Sequence, residues 1–468
     1  MSGEIFQIDE NMNLSHTNMI KTVIRLSIPA IMAQITSIAM QYIDAAMVGS
    51  LGAEASAAIG LVSSTTWLIG GLCVAAATGF SVQAAHFIGA CREDDARNVF
   101  RQSLIITSIF GLLLTVIAVS ISGSLPVWLG GDTGIQKAAS EYFLIYACAL
   151  PATQCRQLAG GMLQCSGDMR TPSVLNILLC ALDVVFNFFL IFPARTITVL
   201  GFSFNVFGAN MGVAGAALGT ALAEVCTAAG MLYAACVRSE KLAFRLGGSW
   251  RIQTQCMKTA AKISLPAAFE HTVLCSAYVA STLIVAPLGT VSVAAHSLAV
   301  TAESFCYMPG YGFASAATTL VGLSMGARQY PMARKFARMS VLMGVIVMSL
   351  TGVVMFFVAP WIFAMLTPAA EVQRLGTQVL RIEVFAEPLY AASIVCAGAL
   401  RGAGDTLIPS ILNLVSMWGV RITAAVLLIP YFGLHGMWIA MCGELCVRGI
   451  LFLIRLFREK WLKKGIVL

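Results

Sequence analysis

Asp44 sits inside the apolar stretch Ser27 to Gly52, SIPAIMAQITSIAMQYIDAAMVGSLG. A carboxylate at bilayer depth costs roughly 2.5–3.5 kcal/mol on insertion scales, so it must face protein or water and marks an ion path by default. The competing reading is a solvated acid at headgroup level, because the Gly49-Ser50 turn is close. Asp183 and Asn187 lie four apart in Ala181-Leu182-Asp183-Val184-Val185-Phe186-Asn187, on one face of a helix. Carboxylate and amide oxygens suit a hard cation such as sodium, and a buried carboxylate also suits a proton. The same residues would equally serve as a hydrogen-bonded cluster joining two helices. Glu270 and Glu303 are further acids within apolar runs. Glu303 is followed by Tyr307 and Met308, which could hold a cationic amphiphile by charge and by ring or sulfur contact. Plain helix–helix hydrogen bonding is the alternative. Gln34, Gln41 and Asp44 form one stripe that should face inward, where Gln34 could touch substrate or hydrate an ion path. His271 and His296 read as core residues; Glu224 and Glu444 have no assigned role.

The elements that position these groups follow from composition. Of 468 residues, 58% are hydrophobic and 11% are charged, against about 25% charged in average soluble chains. In lipid every backbone polar group must be satisfied within the segment, so long apolar runs are read as helices. Twelve such runs occur, near 23–48, 58–80, 99–121, 138–158, 171–193, 211–236, 260–285, 296–320, 336–360, 376–398, 406–430 and 433–455. The first twenty residues are polar and lack a signal-peptide pattern, so the first run is expected to anchor the chain. None of the 14 cysteines forms a CxxC pair, and neither disulfides nor metal sites are expected.

The formal charge of +7 is spread between the runs, as topology requires, rather than gathered into a nucleic-acid surface. Nearly all Lys and Arg precede the first run or follow the even-numbered ones, for example Arg92, Arg97, Arg101, Arg238, Lys241, Arg245, Arg334 and Lys335. The odd connections hold only Lys137, Arg195 and Arg374. The alternation survives all twelve spans and predicts both termini in the cytoplasm.

The two halves repeat. Ser27-Ile28-Pro29 matches Ser264-Leu265-Pro266; Leu51-Gly52 matches Leu288-Gly289; Gly89-Ala90 matches Gly326-Ala327; Gly167-Asp168 matches Gly404-Asp405; Asn176 matches Asn413. Each pair is 237 residues apart. After the fifth span the offset falls to 221, so the first half carries about sixteen extra residues near Ala194 to Asn210. A repeat of six spans enters the membrane twice in the same direction, which predicts two lobes related by an axis along the membrane normal. The expected fold is an all-α polytopic membrane protein: twelve transmembrane helices in two parallel-repeat six-helix lobes around a central cleft. The divisions are a cytoplasmic segment 1–22, an N-lobe 23–237, a cytoplasmic linker 238–259, a C-lobe 260–455 and a basic cytoplasmic tail 456–468.

On Ser27-Ile28-Pro29, on Asp44 with Gly49-x-Leu51-Gly52, and above all on the paired elements Gln164 to Pro172 and Leu400 to Thr406, the chain resembles the multidrug and toxic compound extrusion family. The resemblance spans roughly residues 20–455. It implies a secondary active multidrug efflux transporter in the cell (inner) membrane, with cation coupling at Asp44, Asp183 and Asn187. Such a protein exports amphipathic, often cationic compounds in exchange for H+ or Na+ by alternating access. Family members often carry Asn first and Asp four residues later, whereas this chain has the reverse, which leaves the coupling ion open. One branch places an acid where this chain has Tyr390, so no second-lobe ion site is carried over. No cofactor, no metal beyond possible Na+ at that site, and no nucleic-acid partner are implied; the partners are small-molecule drugs and the lipid bilayer, and a monomer is expected. The alternative is a lipid-linked precursor flippase of the same superfamily, for which Arg381 and Arg421 are a thin cationic lining. No HExxH, GxSxG or Walker pattern points to an enzyme. Gly167, Asp168, Gly404 and Asp405 read as turns that cap the following helices. Pro29 and Pro266 read as places where a span can bend.

Overall fold

The computed structural model describes residues 16–199, 202–244 and 250–464. Residues 1–15 of the N-terminal segment, 245–249 of the linker (Arg245 among them) and 465–468 of the tail lie outside the described residues.

The first half contains α1 (His16–Gly49), α2 (Ala53–Gly89), α3 (Glu93–Ile121), α4 (Thr133–Cys165), α5 (Arg170–Leu190) and α6 (Gly212–Tyr233). The second contains α7 (Thr254–Val285), α8 (Thr290–Gly326), α9 (Tyr330–Leu366), α10 (Ala370–Glu383 and Glu387–Gly402, joined by a 3-10 turn), α11 (Leu407–Phe432) and α12 (Leu434–Phe457). The helices overrun the apolar runs, because their ends continue through polar residues into the interfacial region. Among the described residues, nine are long and apolar enough to cross a bilayer on their own. The other three, α4, α8 and α10, have their apolar character diluted by small and polar side chains. From Pro309 to Gly326, α8 buries a nearly unbroken succession of Gly, Ala, Ser and Thr among its larger residues.

The extra segment carries two antiparallel strands, β1 (Pro193–Val199) and β2 (Phe202–Ala209), with Thr196 opposite Asn205 and Thr198 opposite Ser203. This is an addition to the all-α expectation. The period-two alternation Thr196-Ile197-Thr198-Val199 suits a strand.

The repeat is visible in the backbone as well as the sequence. Four pairs of left-handed residues mark it: Gly52 and Gly289 (φ 118° and 94°), Cys91 and Arg328 (both 58°), Gly167 and Gly404 (96° and 83°), all 237 apart, and Gly212 and Gly433 (53° and 56°) after the offset changes. Gly167 and Gly404 occupy a region that costs other residues about 1–2 kcal/mol, which explains the glycine in both turns. Asp168 accepts a hydrogen bond from the Thr171 backbone N–H at 3.0 Å and so caps α5. Asp405 receives the Arg455 guanidinium from α12, at 3.0 Å from Nε.

The lobes touch through α1 against α8 and through α2 against α7 and α8. Their closest approach is reciprocal. A side chain at Gly89 would collide with the backbone of Leu323, and one at Gly326 with the backbone of His86. Gly89 and Gly326 are repeat partners, as are His86 and Leu323, so the contact reads the same from either lobe. Higher up, Gly79 packs on Ala260 and Ser264, and Gly312 on Ile31. Both α1 and α7 run unbroken through Pro29 and Pro266; Pro266 offers its carbonyl to Ser410 Oγ at 2.7 Å, pinning α7 to α11.

Candidate functional site

Two helices of the first lobe bring the first acids together. The Asn187 side-chain amide donates to Asp44 Oδ1 at 3.0 Å and to Asp183 Oδ2 at 3.1 Å. The carboxyl groups of Asp44 and Asp183 are thus side by side, bridged by that amide. Four-residue spacing on α5 stacks Asp183 and Asn187 on one face, and that face meets α1. Asp183 and Asn187 are fully buried and Asp44 is half-buried. Gly219 on α6 makes room for the amide: a Cβ there would collide with Asn187 Oδ1. Asp183 Oδ1 and Asn187 Oδ1 are buried without a hydrogen-bond partner. Two carboxylates so close repel unless a proton or a cation joins them. The cluster is thus a set of inward-facing oxygens whose charge changes when a small cation arrives.

Gln34 is half-buried on α1, ten residues from Asp44 and so about 15 Å away along the helix axis. It shares the stripe but not the cluster.

In the second lobe Glu270 and Glu303 have different surroundings. Glu270 accepts from Asn413 Nδ2 at 2.8 Å and lies 3.9 Å from the Arg401 guanidinium. Glu303 on α8 lies close to Glu383 on α10, with Glu387 one turn further on. All three glutamates are buried, and both oxygens of Glu383 and one of Glu387 have no partner. Tyr307, one turn from Glu303, packs edge-on to Tyr311 and against Tyr390, with ring centroids 6.1 and 5.6 Å apart. Cys306 is also buried beside these acids.

The sequence reading missed Glu383 and left Glu387 without a role. Both fall where α10 is interrupted, in a run diluted by Arg381 and Pro388. Their four-residue spacing, the same as Asp183 to Asn187, was the available signal.

Five further charges sort into ion pairs. Glu444, fully buried on α12, takes Arg421 at 2.6 Å, Arg448 at 3.1 Å and the Ser416 hydroxyl at 2.5 Å. Glu224 takes Arg156 through two bonds of 2.6 and 3.0 Å, and Arg156 also reaches Asn176 at 3.1 Å. Arg421 lies in a π-helical stretch of α11, Val415–Ile422, an irregularity often found at functional sites. His296 stands edge-on to Trp438 at 5.8 Å, and His271 fills the space beside Gly71.

Comparison with known proteins matches this architecture. The family described as MatE matches the chain twice, over residues 29–189 and 266–427. The probable multidrug resistance protein NorM of Thermotoga maritima is 25% identical over 452 residues, covering 96% of this chain and 94% of that protein. Its namesake from Burkholderia pseudomallei is 26% identical over 447 residues, covering 93% and 92%. A solved MATE structure in complex with MaL6 superposes with a TM-score of 0.87 at 23% identity, covering 96% of this chain and 98% of that one. An outward-facing multidrug resistance MATE family transporter of the MOP superfamily gives 0.86 at 23% identity, with 96% and 97% covered.

Proposed function

This chain belongs to the MatE family of multidrug efflux transporters, and on that premise we propose that it exports small amphipathic molecules in exchange for H+ or Na+ bound at Asp44, Asp183 and Asn187. The observation that carries the proposal is the amide of Asn187 held between two carboxylates from α1 and α5, with buried oxygens left over for a cation. Loading the cluster removes repulsion between α1 and α5. Since α1 also packs on α8 of the other lobe, a shift in α1 is felt at the seam between lobes.

The side on which the lobes meet is read from two features. The reciprocal Gly89–Gly326 contact closes the ends of α2 and α8. Those ends border the loops richest in Lys and Arg, which the positive-inside rule assigns to the cytoplasm. On this reading the lobes meet at the cytoplasmic side, in a multi-pass inner-membrane monomer with both termini inside. One unit charge entering across 100 mV yields about 2.3 kcal/mol, and at about 1.4 kcal/mol per tenfold step it expels a neutral drug against a gradient of roughly fortyfold. For a monovalent cationic drug exchanged one for one, only the ion's chemical gradient drives export.

A lipid-precursor flippase finds less support. Arg421 is spent on Glu444, and Arg381 donates to the Phe356 carbonyl and stacks on its ring, so neither is available to a pyrophosphate.

The deciding test is reconstitution into liposomes with a pH gradient or a sodium gradient imposed separately. Dye transport driven by one gradient and abolished by Asp183→Asn is expected; transport indifferent to both gradients overturns ion coupling.

A further inference from the structure

At their basic ends the two lobes follow one plan and are charged differently. In the N-lobe the first turn of α3 carries Glu93, Asp94 and Asp95. These acids take the nearby guanidinium groups: Asp95 holds Arg92 at 2.7 Å, and Arg97 is held by Asp94 at 2.7 Å and by Glu93 at 3.0 Å. Arg101 donates to Asn98 at 3.0 Å. In the C-lobe the repeat partners of the three acids are Tyr330, Pro331 and Met332, and the partner of Asn98 is Lys335, while Arg97 and Arg101 are kept as Arg334 and Arg338. The first turn of α9 therefore has no acid and no side-chain cap, and its N-terminal N–H groups add positive charge to that of the side chains.

One acid serves what is left. Glu459, just past the end of α12, takes Arg334 through one oxygen and Arg338 through the other, both at 2.8 Å. The segments that meet there, 334–338 and 458–463, carry Arg334, Lys335, Arg338, Arg458, Lys460 and Lys463 against that single carboxylate. Arg334 Nε has no hydrogen-bond partner, and the Arg334 and Arg338 side chains are 41% and 46% exposed. Arg455 does not join the excess, since Asp405 takes it. The segment after α12 is anchored: Trp461 is buried in one cluster with Met19, Val23 and Phe336, and donates to the Leu456 carbonyl at 2.9 Å. Beyond the cations the surface turns apolar. Arg334, Arg338, Leu342 and Ile346 follow one another at four-residue spacing along α9, and Leu342 and Ile346 are exposed. On α12 Phe457, Ile454 and Ile450 are exposed as well, and the Arg338 guanidinium lies 5.3 Å from the Phe457 ring centre.

We infer that this corner of the C-lobe binds one anionic phospholipid of the adjacent leaflet, the cytoplasmic one on the topology above, with its phosphate on Arg334 and Arg338 and its acyl chains along Leu342, Ile346 and Ile454. The planar fork of a guanidinium matches two phosphate oxygens, and basic clusters at the ends of membrane helices draw acidic headgroups. Exposed apolar side chains that continue from the cations favour a lipid over a soluble anion. Diffuse attraction to a charged leaflet acts on every basic loop alike, whereas here the charge excess falls on one lobe and not on its repeat. The inference needs only a membrane at this end of the helices and stands apart from the export reading.

The test counts lipid on the purified full-length protein in neutral detergent by native mass spectrometry, with dioleoylphosphatidylglycerol and dioleoylphosphatidylcholine supplied in equal amounts. The wild-type protein is expected to hold one phosphatidylglycerol in about tenfold preference to phosphatidylcholine; no preference overturns the site. Arg334→Gln with Arg338→Gln should bring the preference close to parity. Lys258→Gln with Lys262→Gln removes the same charge from exposed positions on α7 and should leave the preference unchanged. An equal loss in both double variants overturns the site in favour of diffuse attraction. Leu342→Asn with Ile454→Asn should weaken phosphatidylglycerol binding several-fold, and millimolar inorganic phosphate should leave the lipid bound; complete displacement by phosphate overturns the lipid in favour of a soluble anion. Residues 1–15 hold Glu4, Asp9 and Glu10 and are the rival occupant. Deleting residues 2–15 should leave lipid binding as it was, and binding that arises only in the shortened chain overturns the proposal. If the paired arginine variant fails to fold, Lys460→Gln with Lys463→Gln decides: an unchanged preference rejects the site.

Discussion

The two lobes share a backbone plan and differ in where they bury acid. In the N-lobe the acids are on α1 and α5, bridged by an amide and reached from a half-buried Asp44. In the C-lobe they are on α8 and α10, three glutamates in an almost dry interior. Repeat partners make the divergence plain. Asp44 corresponds to Ser281. Allowing one residue for the π-helical insertion in α11, Asp183 corresponds to Arg421 and Asn187 to Ala425. In the other direction, Glu303 and Glu383 correspond to Thr66 and Tyr146, which are joined in the N-lobe by a hydrogen bond from the Tyr146 hydroxyl to the Thr66 carbonyl at 2.9 Å. The same pair of helices thus meets through neutral groups in one lobe and through two acids in the other. Duplication copied the packing, and the charges were then placed independently.

The largest effect that would break this comparison is at the N-lobe cluster. Asp44→Asn and Asp183→Asn are each expected to abolish gradient-driven efflux, a fall of about a hundredfold or more at matched surface expression; undiminished efflux would reduce the cluster to helix glue. Gly219→Val should approach the same loss, since the added side chain displaces Asn187; normal efflux in that variant would show that the bridge is dispensable. Next comes stability. Glu444→Leu leaves two guanidinium groups buried without their acid and should cost about 3–5 kcal/mol, read as a lower melting temperature. The triple change Glu444→Leu, Arg421→Met, Arg448→Met should recover most of that loss. The C-lobe acids should matter less to transport than the N-lobe pair. Glu303→Gln with Glu383→Gln is expected to slow efflux several-fold and keep its dependence on the gradient; a loss as deep as that of Asp183→Asn would make the lobes equal partners in coupling. The smallest effect is at the turns. Asp168→Ala removes a helix cap worth about 1 kcal/mol, whereas Asp405→Ala should cost more because it also releases Arg455.

Much of this was legible in the chain. The twelve runs, the fixed offset of 237 and the charge alternation gave two six-helix lobes, because bilayer thickness and backbone hydrogen bonding leave few alternatives. The pairing of Asp44 with Asp183 and Asn187 was readable since polar groups in apolar helices must find one another. The approach of Glu303 to Glu383 was not, because a break in α10 sets where Glu383 points and the spacing of a regular helix does not show it. Nor were the two strands between Pro193 and Ala209, whose alternating pattern was hidden by their place between two spans. The pairing of Arg401 with an already occupied Glu270 depends on side-chain directions that spacing does not carry.

The reciprocity of the Gly89 and Gly326 contact has an ancestral meaning. A surface that meets its own repeat through equivalent residues is what a symmetric homodimer has, here with the two copies tied by a linker. The tether supplies proximity, not the interface. Residues 1–244 and 245–468, made as separate polypeptides, should therefore assemble in the membrane without it. A single half, freed of its partner, carries the surface with which to pair with itself.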